Sequence, residues 1–102
     1  MAVPPLRMLW LPAVTDASYP VQILLAAPRS LFPAAPARNR ARRRLREAWR
    51  LHKQEWYDFC REQKLQLAAA LVYTRPEEFP FPELEEKIIL TLKRFKEAYG
   101  AG

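Results

Sequence analysis

Apolar positions along the chain fall into short runs separated by proline-rich or charged stretches. Residues 6–11 (LRMLWL) are apolar and closed by Pro12, which predicts a strand. Residues 12–20 contain Pro12, Asp16, Ser18 and Pro20, the residue types of turns. Residues 21–27 (VQILLAA) form a second apolar run ended by Pro28, again read as a strand. Two such runs with a short connection suggest an antiparallel pair. Residues 28–37 carry Pro28, Pro33 and Pro36, which excludes regular structure and predicts a constrained connection.

From about residue 37 the period changes. Ala41, Leu45, Ala48, Trp49, His52, Trp56 and Phe59 recur at three- and four-residue steps and share one helix face. Asn39, Arg43, Arg46 and Arg50 fall on the opposite side, with Arg40, Arg42 and Arg44 on the flanks. The helix is expected to reach Gln63, with a possible break near residues 51–54. Residues 65–74 (LQLAAALVYT) read as a buried strand, although the three alanines also allow a helix. Residues 76–82 (PEEFPFP) read as a loop. Pro82 followed by Glu83, Glu85 and Glu86 marks a helix start. Leu84, Ile88, Leu92 and Phe95 give that helix an inner face, with Ile89 and Tyr99 alongside, and Lys93, Arg94 and Lys96 lie near its end. The order strand, strand, basic helix, strand, helix predicts a small α+β sandwich with helices on a sheet of three or more strands. The strand–helix–strand segment could make its two strands parallel.

At 102 residues the chain is read as one domain, residues 1–102, and with half its residues hydrophobic it should fold. Charge changes the picture more than length. The formal net charge is +6, from 17 basic and 11 acidic residues. Residues 38–50 hold seven arginines against Glu47 alone, so that segment carries the whole excess and the remainder is neutral. Arginine's planar fork suits bidentate phosphate contact, and an unmixed cationic face points to a polyanion partner. Spacing alone does not separate a helix in a DNA groove from one clamping folded RNA. A solubilising face or a helix lying on anionic lipid are the competing readings. The lipid reading is weakened because the apolar face is the one a small core needs.

Little else suggests chemistry. Glycine occurs only at Gly100 and Gly102, so no glycine-rich phosphate loop is present. His52 on the apolar face reads as a core-edge residue, Cys60 as an inert thiol, and Trp49 and Trp56 as core. Trp10, on a strand, could face either way, and outward it could stack an unpaired base. Glu83, Glu85 and Glu86 read as helix N-terminal charge. No catalytic or metal-binding residues are assigned to the chain, and no cofactor bound by the protein alone. No apolar run approaches a membrane span and no secretion signal is read at the N-terminus, so the cytoplasm is the expected location and no membrane partner is expected.

Residues 28–50, PRSLFPAAPARNRARRRLREAWR, resemble the signature of the bacterial ribonuclease P protein subunit. Arg29 matches that family's first basic position and Ala35 its alanine. Arg38, Asn39 and Arg40 match its Arg-Asn-Arg core, Arg42 and Arg43 the next basic pair, and Arg46, Glu47 and Trp49 complete the pattern. The likeness extends over roughly residues 6–98. It implies an α/β sandwich with a left-handed crossover through the Arg-Asn-Arg helix. It also implies a protein that binds a large catalytic RNA and contacts the 5′ leader of precursor tRNA in a cleft over the sheet, while the RNA with Mg2+ performs the hydrolysis and the protein lowers the magnesium requirement. On that basis the RNA-binding residues are Arg29, Arg38, Asn39, Arg40, Arg42, Arg43, Arg46 and Arg50, with Arg44 as an additional contact. The expected partners are the RNase P catalytic RNA and precursor tRNA, with no obligatory protein partner. Two departures stand out. The family's helix before the first strand has no counterpart, since the chain starts almost at the strand. Ser30, Pro33, Ala34 and Pro36 stand where relatives often carry basic or non-proline residues, and Arg44 stands at a usually apolar position. The alternative is another small basic RNA- or DNA-binding protein, for example a ribosome-associated one.

Overall fold

The computed structural model describes residues 1–14 and 19–101, with side chains through Tyr99. The turn assigned to Asp16 and Ser18 lies outside the described residues. The elements are β1 (Ala2–Val3), β2 (Leu6–Pro12), β3 (Val21–Ala26), α1 (Ala35–Glu62), β4 (Leu67–Tyr73) and α2 (Phe81–Ala101).

The strands form one mixed sheet in the order β1-β2-β4-β3. β4 is antiparallel to β2, with Met8 opposite Leu71, and parallel to β3, with Leu25 opposite the same Leu71. The expected β2–β3 pair is therefore not formed, because β4 inserts between them. A tight hairpin needs a loop of two to five residues. The connection here runs from Ala13 to Pro20 and is bounded by prolines, long enough to step over an intervening strand. The strand–helix–strand segment does make β3 and β4 parallel neighbours, with α1 as the crossover. β1, two residues long, is too short to show a period in the sequence. It pairs antiparallel with β2, Val3 opposite Leu6, and the amino group of Met1 donates to the Met8 carbonyl at 3.1 Å.

Both helices cover one face of this sheet. Leu6, Met8, Val21, Leu67, Ala69, Leu71 and Tyr73 point inward from alternate strand positions. They meet Ala41, Leu45, Ala48, Trp49, Trp56 and Cys60 of α1 and Leu84, Ile88, Leu92 and Phe95 of α2 in one cluster. Phe95 is its aromatic centre, with ring centroids 5.5 Å from Trp56 and 5.0 Å from Trp10. Trp10 thus turns edge-on into the core side rather than outward. Thr91 is the buried polar residue on the inner face of α2, and its hydroxyl donates to the Lys87 carbonyl one turn back at 2.6 Å.

Helix α1 runs unbroken through residues 51–54, since nothing there is a helix breaker; His52 and Phe59 are half-buried at the edge of its apolar face. It also starts earlier than expected, at Ala35, with Pro36 in the first turn, where the missing N–H would have no partner anyway. Its end is closed by Lys64 at φ 53, with the Leu65 N–H donating to the Cys60 carbonyl at 2.8 Å. This left-handed cap turns the chain directly into β4.

Candidate nucleic-acid interface

The core fixes the roll of α1 and so decides which arginines face water. Its apolar side is sealed by Ala41, Leu45, Ala48 and Trp56, each at most 1 % exposed. Asn39, Arg42, Arg43 and Arg46 consequently project into solvent. Among the described residues they have no hydrogen-bond or ion-pair partner. Lys53, seven residues after Arg46 and half-buried, continues the same line, also without a partner among the described residues; the arginine run ends before it, so no sequence signal marks it. No acid stands in the first turn of α1 and Ala34 offers no side-chain cap, so the positive end of the helix dipole adds to the arginine charge instead of being offset.

The other arginines are engaged. Arg38 is half-buried and donates to the Phe32 carbonyl at 3.2 Å, tying the 28–34 connection to the helix. Arg29, exposed and without a partner among the described residues, is carried on that connection. Arg40 grips the Glu78 carboxylate with both arms of its fork, Nε to Oε1 at 2.9 Å and Nη2 to Oε2 at 3.1 Å. Arg44 stands 3.9 Å from the same Oε1 and donates to the Phe79 carbonyl at 3.3 Å. Arg50 forks onto Glu47 one turn earlier, with Nε to Oε2 at 3.0 Å. Hydrogen bonds from Arg40 and Arg50 hold the carboxyls of Glu78 and Glu47 below the usual range. The nine arginine and asparagine positions proposed from sequence thus separate into an open group and a group with internal contacts.

Glu78 and the two carbonyls gave no sequence signal, because each lies on an irregular segment. Arg38 did give one. It precedes Trp56 by eighteen residues, five full helix turns, and so shares the angular position of a core residue.

The remaining candidates have structural roles. His52 Nε2 lies 3.1 Å from Glu85 Oε2, joining α1 to α2. Cys60 is fully buried, and burial pushes its thiol up to about 11. Tyr73 packs against Phe32, and burial pushes its phenol up to about 12. Its hydroxyl makes no hydrogen bond of good geometry, although the nearby Phe79 backbone offsets part of that burial. Among the described residues no three His, Cys, Asp or Glu side chains lie together as a metal site.

The outer face of the sheet is aliphatic. Leu9, Ala70 and Leu24 stand side by side across β2, β4 and β3, and Leu11, Ala68 and Gln22 form the next row. Leu9 is 48 %, Leu11 60 % and Leu24 63 % exposed. With Trp10 turned to the other side, the strands give this face Arg7 as a cation and no aromatic ring.

A family model described as Ribonuclease P matches residues 2–96, nearly the whole chain. The chain belongs to the family of bacterial ribonuclease P protein components. Membership gives it a place in the ribonuclease P ribonucleoprotein, an endonuclease of tRNA processing, and makes RNase P RNA its associate. The mixed four-stranded sheet with its long central helix is compatible with the small α/β fold of ribonuclease P proteins. No curated protein and no solved structure matches the chain.

Proposed function

We propose that the chain docks on the catalytic RNA of ribonuclease P through the open face of α1 and so assists removal of the 5′ leader from precursor tRNA in the cytoplasm. The supporting observation is that Arg42, Arg43 and Arg46 stand exposed and unpaired on a helix whose opposite face is locked into the core. Guanidinium groups placed this way accept phosphates, release the counterions condensed there, and lose affinity steeply as salt rises. Asn39, on the same face, can hydrogen-bond a base or sugar edge. Protein cations at close-packed phosphates also replace metal ions that repulsion would otherwise demand, which lowers the magnesium requirement. The Mg2+ of the reaction belongs to the RNA active site in this reading. The chain's own contribution is binding and charge neutralisation.

Contact with precursor tRNA is part of the proposal, but the aliphatic outer sheet face is poorly suited to a stacked single strand, which calls for rings and a cationic groove. The α1 face therefore carries the reading. Its test is cleavage of precursor tRNA by the cognate catalytic RNA at low Mg2+, with and without the chain. Strong stimulation is expected. Absence of stimulation, together with equal binding to ribosomal RNA and duplex DNA, would contradict it.

A further inference from the structure

Arg40 and Arg44 already hold an anion. The two oxygens of Glu78 meet the two donor arms of Arg40 at 2.9 and 3.1 Å, the fork-to-fork geometry with which arginine takes a phosphate. Arg44 approaches the same carboxylate from one turn along α1, at 3.9 Å. The pair is open to water, with Arg40 48 % and Glu78 30 % exposed, and an ion pair of this kind is weakly held. Glu78 sits on the 74–80 connection between β4 and α2, and its carboxylate and the Arg44 contact to the Phe79 carbonyl are the polar ties between α1 and that connection among the described residues. A phosphodiester presents the same single charge over two oxygens as this carboxylate, and it arrives with its neighbours already bound to Arg42, Arg43 and Arg46, so its binding is effectively intramolecular.

We propose that Glu78 occupies a phosphodiester site formed by Arg40 and Arg44, and that RNA binding displaces it. The carboxylate is thus a built-in competitor that sets the affinity of the helix for RNA. This rests on the RNA-docking reading of α1. The functional consequence is a two-part interface: the exposed arginines engage first, and the Arg40–Arg44 site is filled only by an RNA that brings a phosphate to the flank of the helix and releases the 74–80 connection.

The experiment is a binding titration with the RNase P catalytic RNA across a salt series, using the wild type, Glu78→Gln, and Glu77→Gln as an equal charge change at an exposed neighbour without a partner. Glu78→Gln is expected to tighten binding by about fivefold, the strength of a released surface ion pair, because no carboxylate then has to be displaced. Glu77→Gln should do distinctly less. Arg40→Ala should cost more in the Glu78→Gln background than in the wild type, because only there is Arg40 free beforehand. Equal affinities for the two glutamine variants, or weaker binding by Glu78→Gln, would overturn the proposal. The Arg43→Ala/Arg46→Ala variant keeps the two ideas apart. If it weakens binding while Glu78→Gln has no effect, only the competitor role fails. If neither changes binding, the docking reading itself fails.

Discussion

Arg40 and Arg43 are one turn apart on the same helix, with the same side chain and comparable exposure, yet they differ in what they touch. Arg40 is closed on Glu78, whereas Arg43 points into water with no partner among the described residues. Arg38, two residues before Arg40, is drawn in further and holds the Phe32 carbonyl. The difference comes from helix phase and from what the fold lays beside each phase. Positions near the core meet loops, which supply carbonyls and a carboxylate, whereas positions opposite the core meet no other element, and Arg50 there pairs with Glu47 of its own helix. A cluster of arginines in a sequence is therefore not one site. Part of it assembles the domain and part is available to a ligand.

The most severe way to break this separation is to remove what sets the phase. Trp56 is 1 % exposed and packs against Trp49 and Phe95. Trp56→Ala should destabilise the domain by about 3–5 kcal/mol, a large share of the roughly 5–15 kcal/mol typical of a whole domain. Denaturant unfolding checks this, and RNA binding should fall with the folded fraction. A milder substitution sharpens the comparison. Arg38→Ala removes a half-buried charged hydrogen bond to a loop and should cost about 1 kcal/mol, whereas Arg43→Ala should stay within about 0.5 kcal/mol. Equal melting temperatures for these two variants would remove the distinction between the assembling and the open arginines.

Acid supplies the smallest effect. Glu47 and Glu78 have carboxyls held below their ordinary value of 4.5 by Arg50 and Arg40. A carboxyl depressed in the folded state adds stability above its unfolded value, and that stability disappears as pH falls through the folded one. The wild type should thus lose a small increment of melting temperature below about pH 4.5 that a Glu47→Gln/Glu78→Gln variant does not lose. Parallel melting curves for the two proteins down to about pH 3 would contradict the pairing.

The sequence was most legible where a single element carries the information. The period of α1 gave its buried face residue by residue, from Ala41 to Trp56, because three- and four-residue spacing and burial are the same statement for a helix. The inner face of α2 followed for the same reason, with Ile89 turning out exposed at its margin. Strand order was not legible, since nothing local in residues 6–11 and 21–27 says that β4 lies between them. β1 was invisible because two residues have no period. The arginines were legible as a group but not as partners. Glu78 lies 38 positions from Arg40 on a proline-bounded connection, and only the packing of α2 beside α1 brings the two together.

On this account the open arginines are the first to meet RNA. This is tested most directly by the salt dependence of binding to the RNase P catalytic RNA for Arg43→Ala/Arg46→Ala beside the wild type. Removing two phosphate contacts should lower the slope of log affinity against log salt by about two and weaken binding throughout. An unchanged slope and an unchanged affinity, in a protein that melts like the wild type, would take the open face of α1 out of the interface.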